Sequence, residues 1–574
     1  MARQQRLANR IHARLSVFSR PATGFVSQPE PRTIGAFARG RQLIAGNFLF
    51  AGFLVEAPST SIWNLPMPDQ SFEQELHGFK WLDDLAAVGD LEARKRAQEW
   101  TTDWIERYGN GRGSGWTPDR TGRRLIRWIN HALFFLNGQT SDASEAYFGA
   151  LAQQTVFLSK RWHTAGAGLP RFEALTGLIY AGLSLTGMDK YVKPALKALA
   201  RECAQQIDEQ GGIPTRNPEE LLEVFTLLTW TASALAEAGR IAPQEHLNAI
   251  DRIAPTLRAL RHADGGLARF HGGGRGLEGR LDHALAVSGV RTVSNTSLSM
   301  GFARLHAGRT SVIVDASRPP MGAASTDGHA STLAFELTSG RRPLIVNCGS
   351  GESFGESWRR AGRATPSHST LSLEGFSSAR LGKQRLVAGR NQQSLVDGPT
   401  KVECQQSSDQ SGMQLGASHD GYVATHGILH QRRLELGFDG RGLAGQDFLT
   451  VTTPTDKRTF DARMDAARLQ GIPYSVRFHL HPDVDAELDL GGTAVSLALR
   501  SGEIWVFRHN SSAQLSVEPS VYLEKTRLKP RAAKQIVLSG RAMDYATRVT
   551  WYLAKAQDTP NSLRDLVRDG IPKL

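Results

Sequence analysis

The chain has 574 residues, more than one hydrophobic core of about 250–300 residues can organise, so two large domains are expected. Its 40% hydrophobic and 22% charged content is ordinary for globular proteins and argues against long disordered tracts. The three dispersed cysteines, Cys203, Cys348 and Cys404, exclude a disulfide framework and a thiolate zinc site. A net charge of +12 favours anionic partners, but the basic residues are scattered rather than run together, which speaks against nucleic acid.

The first 40 residues are rich in arginine and lead into an apolar run over 43–55. That run starts too late for a signal peptide, is interrupted by Asn47, and is too short to cross a bilayer. Gly46 and Gly52 bracket alternating Phe48 and Phe50, which predicts a short buried hairpin. From 79 to 262 the apolar residues recur at helical spacing. Segments 79–108, 121–137, 143–162, 171–185, 189–208, 217–238 and 243–262 read as amphipathic helices, with Asn217 as N-cap and Pro218 at the first helical position. Short connections imply stacked helical hairpins, either a solenoid or a closed α/α toroid. A glycine-rich stretch over 264–291 reads as a linker. Beyond about 292 the period becomes two, as in 310–316, 332–337, 343–347, 369–373, 474–481, 503–508 and 546–553. Ser339-Gly340 suits a hairpin turn, and helical signals are scarce until the last few residues. The expected organisation is therefore a helical domain over 1–263, a linker over 264–291, and a large antiparallel β-sandwich over 292–574.

The motifs narrow this architecture. The run from Asp327-Gly328-His329-Ala330 to Phe335-Glu336-Leu337, then Pro343 to Asn347-Cys348-Gly349, resembles the start of the heparinase II/III C-terminal domain. So does Trp358-Arg359-Arg360-Ala361-Gly362-Arg363, followed by His368-Ser369-Thr370. His419 to Tyr422, His430 to Arg433, and Phe478 to Pro482 fit as well, and Gly211-Gly212 leading to Arg216-Asn217-Pro218 resembles a turn of the family's helical half. The resemblance implies an N-terminal α/α toroid followed by the sandwich, and a lyase that cleaves uronate-containing acidic polysaccharides by β-elimination.

That reaction needs a neutralised substrate carboxylate, a base, and an acid for the departing oxygen. The resemblance marks His329 and His368 for catalysis; where the family's own residues are missing, Tyr422 is the candidate phenol and Arg216 or Arg171 the candidate to neutralise the carboxylate, with Arg363, Trp358 and Asp327 as further candidates for the substrate. A guanidinium can hold a carboxylate in bidentate fashion, and Trp162, Phe172 and Trp358 are candidates for stacking on sugar rings. The family's toroid Asn-His pair would fall near Leu169-Pro170 and is absent. Its tyrosine place is taken by Glu219 or Glu220, and Tyr180 is another candidate phenol. Some family members also carry a structural zinc held by two His and an Asp. Here Asn347 takes the Asp place in the His329–His368 region, and an amide is a poor zinc ligand, so no cofactor is expected to be required, with a structural zinc at His329, Asn347 and His368 left as the alternative.

Two rival readings stand beside the lyase: an acidic-glycan-binding protein that has lost the chemistry, and a hydrolase using carboxylates from Glu173, Glu219, Glu220 and Asp327. Asn130-His131 lies within a run of core residues and reads as structural, and His479 and His481 as strand residues. The expected partner is an acidic polysaccharide, with no nucleic acid and no transmembrane segment. Location stays open between an envelope compartment, by family analogy, and the cytoplasm.

Overall fold

The computed structural model describes residues 2–27, 30–293, 298–387, 390–525 and 527–556. The helical half follows the predicted periodicity, except that the expected helix over 79–108 is broken at Gly89, φ 70°, and that over 121–137 at His131. Helices run over Lys80–Val88, Leu91–Tyr108, Pro118–Asn130, Ser141–Arg161, Leu169–Ser184, Val192–Gln206, Pro218–Glu237 and Gln244–Ala259. Their starts are chemically specified. Asp90 accepts from the Ala93 N–H at 2.8 Å, and Asn217 accepts from the Glu219 and Glu220 N–H groups at 3.0 and 3.2 Å, with Pro218 behind it.

The helices differ in what surrounds them. Leu169–Ser184 is buried without interruption from Phe172 to Ser184, so it is an inner helix covered on all sides. It packs against Pro118–Asn130 so closely that a Cβ on Gly177 would fall 2.4 Å from the Gly122 Cα. Only paired glycines permit that approach. Pro218–Glu237 packs on the other flank of Leu169–Ser184. The predicted hairpin is present as strands Asn47–Phe50 and Phe53–Glu56, with Ala51 and Gly52 at positive φ in its turn.

Within the expected linker, helix Arg280–Ser288 packs on Pro218–Glu237 through Arg280, which grips Glu223 at 2.6 and 2.8 Å. Leu267, Ala268, Phe270 and His271 are buried. Glycine content marks this segment as a linker, and the apolar residues between the glycines bury it against the protein.

Among the described residues, the C-terminal half is an antiparallel sandwich of an eight-stranded and a nine-stranded sheet. Strand Ala546–Lys555 lies in the middle of the eight-stranded sheet, between Gly442–Thr450 and Ile504–His509. The hairpin around Ser339-Gly340 pairs Phe335–Ser339 with Arg342–Val346 as expected. Rings from the two sheets interlock: Phe335 stacks on Trp551 at 5.8 Å and Phe478 lies 4.9 Å from Phe507. Helices Glu356–Gly362, Val423–His426 and Pro454–Ala466 interrupt the strands, the last being the longest of the three. Its capping box, Thr453 with Asp456, and Pro454 at the first position were its sequence signal. Among the described residues, no helix is long and apolar enough to cross a membrane.

Candidate functional site

The two halves are clasped by buried polar groups. Arg216, held at φ 51°, donates to the carbonyls of Met300, Gly301 and Arg318 at 3.1, 2.8 and 2.7 Å. It also donates to Asp315 Oδ1 at 2.7 Å and lies 4.6 Å over the Phe302 ring. Asp315 is fully buried and also accepts from Ser331 Oγ at 2.6 Å. Burial alone would raise its pKa, but Arg216, His271 and Ser331 outweigh it and hold the carboxyl well below the usual range.

Next to this clasp, charged side chains from the starts of several helices converge with charged residues of the sandwich, and the candidate cleft is placed there. Lys80 starts one helix, and Arg123, Glu173 and the trio Glu219, Glu220 and Glu223 lie in the early turns of three others. The sandwich contributes Asp327, Arg359 and Lys525. Most charges are already matched. Arg123 holds Glu173 through two contacts of 2.7 Å, Lys525 holds Glu219 at 2.8 Å across the domain boundary, and Arg359 holds Asp327 at 2.7 Å.

Two groups stand out from this network. Lys80 is exposed to solvent and has no ion pair among the described residues. Glu223 raises its pKa, but burial of its surroundings together with Arg123 and Arg127 lowers it further, leaving it below the ordinary range. Glu220 is half-buried, and desolvation, helped by Asp327 and Glu173, pushes its carboxyl up to about 7. It is thus poised to give or take a proton near neutral pH.

Behind Asp327 lies a chain of buried imidazoles. His368 Nδ1 faces the Ala364 carbonyl at 2.9 Å and therefore carries a proton. Its Nε2 then accepts from His329 Nδ1 at 3.0 Å, which leaves His329 Nε2 as a lone pair with no partner among the described residues. Burial, then His368, His271, Arg363 and Lys525, hold His329 neutral. His271 Nδ1 accepts the His329 backbone N–H at 3.2 Å, and its Nε2 lies 3.4 Å from Asp315. The imidazole chain thereby joins the clasp to the cleft.

These positions revise several sequence expectations. His329 and His368 are brought together, and Asp327 lies on the cleft. Trp358 is half-buried in the nearby helix Glu356–Gly362. Tyr422 is corrected: it is fully enclosed in the sandwich, donates to the Leu371 carbonyl at 3.2 Å, and burial pushes its phenol up, so it cannot meet a sugar. Tyr180 is buried too. Arg216 is corrected from substrate ligand to interdomain clasp. Arg363 is corrected likewise: it is 3% exposed and donates to the Gly328 and Ser325 carbonyls, both at 2.8 Å. Arg171 is tied to Glu202 at 3.0 Å and to the Ala165 carbonyl at 3.0 Å, and Phe172 is core. His479 is structural, between Ser520 Oγ and the Pro366 carbonyl.

The zinc that the resemblance implies does not fit. Asn347 Oδ1 accepts from the Ser369 N–H at 3.0 Å, and its Nδ2 is buried without a partner. Besides the imidazoles, the cations Arg363 and Lys525 hold the pKa of His329 down. Two neutral imidazoles and an amide beside cations do not make a zinc donor set.

A second buried network, which sequence reading took only as family motif, lies in the sandwich core. His419 Nδ1 accepts the Gly421 N–H, His430 bridges His419 and Asp447 at 3.1 and 2.8 Å, and Arg432 holds both Asp447 oxygens at 2.8 and 3.1 Å.

Comparison with known proteins agrees with this architecture. The profile of the heparinase II/III-like C-terminal domain matches residues 291–552. FtsZ-localized protein C of Caulobacter vibrioides is 31% identical over 552 residues, covering 93% of this chain and 91% of that protein. Among solved structures, a heparinase III superposes with a TM-score of 0.68 at 12% identity, covering 96% of this chain and 90% of its own. The heparan sulfate lyase HepC of Pedobacter heparinus gives 0.55 at 15% identity, covering 97% and 89%. Those two identities speak to fold alone. The helical toroid, the sandwich and the matched C-terminal domain together establish that this chain belongs to the heparinase II/III-like family.

Proposed function

We propose that this chain is a carbon–oxygen lyase that cleaves an acidic, uronate-containing polysaccharide by β-elimination in the cleft between toroid and sandwich. The observation that supports this reading is a charge cluster at the starts of the toroid helices: Lys80, without an ion pair among the described residues, stands among Glu223, Arg123 and Glu173, and Glu220, its carboxyl pushed up to about 7, stands by Asp327. Lys80 neutralises the uronate carboxylate, so that removing the neighbouring proton does not place a second negative charge beside the first. His329 Nε2 takes that proton. The electron pair forms the new carbon–carbon double bond, the adjacent carbon–oxygen bond breaks, and Glu220 gives its proton to the departing oxygen. Atoms balance without water.

One observation favours a second reading, an acidic-glycan-binding protein without chemistry: both tyrosines considered for proton transfer, Tyr180 and Tyr422, are in cores. The two readings separate when the purified protein is incubated with a panel of uronate polysaccharides and the ultraviolet absorbance of unsaturated uronate is followed. The lyase reading expects a rise that Lys80→Gln and Glu220→Gln each reduce at least tenfold. Saturable binding with no rise supports the second reading and overturns the first.

A further inference from the structure

Towards the C-terminal ends of helices Lys80–Val88 and Pro118–Asn130 the toroid holds a cavity of about 510 Å³. That is within the range of small-molecule sites. Helices Lys80–Val88 and Pro118–Asn130 bring their C-terminal ends to it, and the segment 31–35 forms an outer wall. The segment is held against the helices. Thr33 Oγ1 lies 2.9 Å from His131 Nε2, the Ala36 N–H donates to Asp84 at 2.8 Å, and a Cβ on Gly35 would strike the Asp83 carbonyl.

Asn130 lines this cavity and is 1% exposed, yet neither its Oδ1 nor its Nδ2 has a hydrogen-bond partner. A buried amide left wholly unmatched costs about 1–3 kcal/mol per group, so this side chain presents one donor and one acceptor to whatever enters. Its neighbour is different: His131 Nε2 is already engaged by Asp83 and Thr33, both at 2.9 Å. Arg94 also lines the cavity and forms no ion pair among the described residues. Its Nε is buried without a partner, and its guanidinium lies 5.9 Å over the Phe134 ring. Leu133, 71% exposed, stands at the rim.

We propose that this cavity binds a small carboxylate that also carries an amide and an apolar group. The amide pairs with Asn130, the carboxylate meets Arg94, and the apolar group lies on Phe134 and Leu133. The order follows from polarity. Asn130 is enclosed near helix C-termini, where a ligand N–H is favoured and a negative charge is not, whereas Arg94 is half-buried and can reach outward. Free N-acylated amino acids and the carboxyl end of a peptide share this chemistry. The inference is independent of the reaction proposed for the cleft.

The test is calorimetric titration of the full chain with N-acetyl-L-phenylalanine. Saturable binding is expected, weakened at least tenfold by Arg94→Gln, by Asn130→Ala and by methyl esterification of the ligand. Asn130→Ala removes two unmatched groups, so thermal melting should show no loss of stability. Arg94→Gln supplies the same test at a half-buried position. A tripeptide ending in phenylalanine that binds tenfold tighter identifies a peptide end as the source of the ligand, and equal or weaker binding identifies a free small molecule. Absence of saturable binding by either probe, or binding that both variants leave unchanged, overturns the proposal.

Discussion

Replacing Arg216 by alanine should separate the two halves energetically. The side chain makes four contacts of 3.1 Å or less, three to sandwich backbone carbonyls and one to Asp315, and it covers the Phe302 ring. Alanine leaves the fully buried Asp315 carboxylate with only Ser331 and a neutral His271. Removing one partner of a buried ion pair costs about 3–5 kcal/mol, because the other charge stays desolvated. Backbone strain does not enter, since Arg and Ala meet the same penalty at φ 51°.

Asp315→Asn in the Arg216→Ala background deletes the stranded charge and should return about 2 kcal/mol, whereas the same change in the intact protein should destabilise. The pH dependence has a defined sign. Asp315 is held below its unfolded pKa, so its contribution is present above the carboxylate range and fades as pH falls below about 4. The gap between wild type and Arg216→Ala should therefore be widest near neutrality and close in acid. Urea unfolding of the four proteins across pH measures all of this. A loss under about 1 kcal/mol for Arg216→Ala, or Asp315→Asn acting equally in both backgrounds, would refute the clasp.

Glu220→Gln should stabilise the protein above pH 7 and leave it unchanged below about pH 4. The raised carboxyl favours folding only while protonated, and that contribution is lost as pH rises through about 7; thermal melts across pH read it. Asp447→Ala strands Arg432 and the Trp551 N–H in the core and should cost about 3–5 kcal/mol in urea unfolding. Gly177→Ala pushes a methyl into the Gly122 backbone and should cost about 1–3 kcal/mol, while Gly149→Ala, with open space around it, should be neutral or stabilising. Thr453→Ala removes half of a capping box and should cost about 1 kcal/mol.

Much of the architecture was legible because periodicity is a local property. Asn217-Pro218 announced a helix start, and Ser339-Gly340 a hairpin, without knowledge of neighbours. The burial of the 264–291 segment was not legible because glycine frequency says nothing about whether the Leu267, Phe270 and Leu281 between the glycines find a surface. The candidate site was legible only in part, because motif resemblance marks residues and not directions. Arg216, Arg363 and Tyr422 sit in matching motifs, yet each spends its polar atoms on backbone carbonyls. Conversely Lys80 carries no motif. It matters because four inner helices start at one mouth of the toroid, which places it beside Glu173 and Glu223 from segments far along the chain. The orphaned amide of Asn130 was equally hidden, since a helix-interior asparagine in an apolar run gives no sign of whether its amide meets protein or a cavity.

The central claim, elimination in the cleft, is tested most directly by the mass spectrum of oligosaccharides released from a uronate polysaccharide in heavy-oxygen water. The account predicts products with an unsaturated end that incorporate no solvent oxygen and whose yield collapses in Lys80→Gln. Saturated products carrying solvent oxygen would contradict it and assign the cleft carboxylates to hydrolysis.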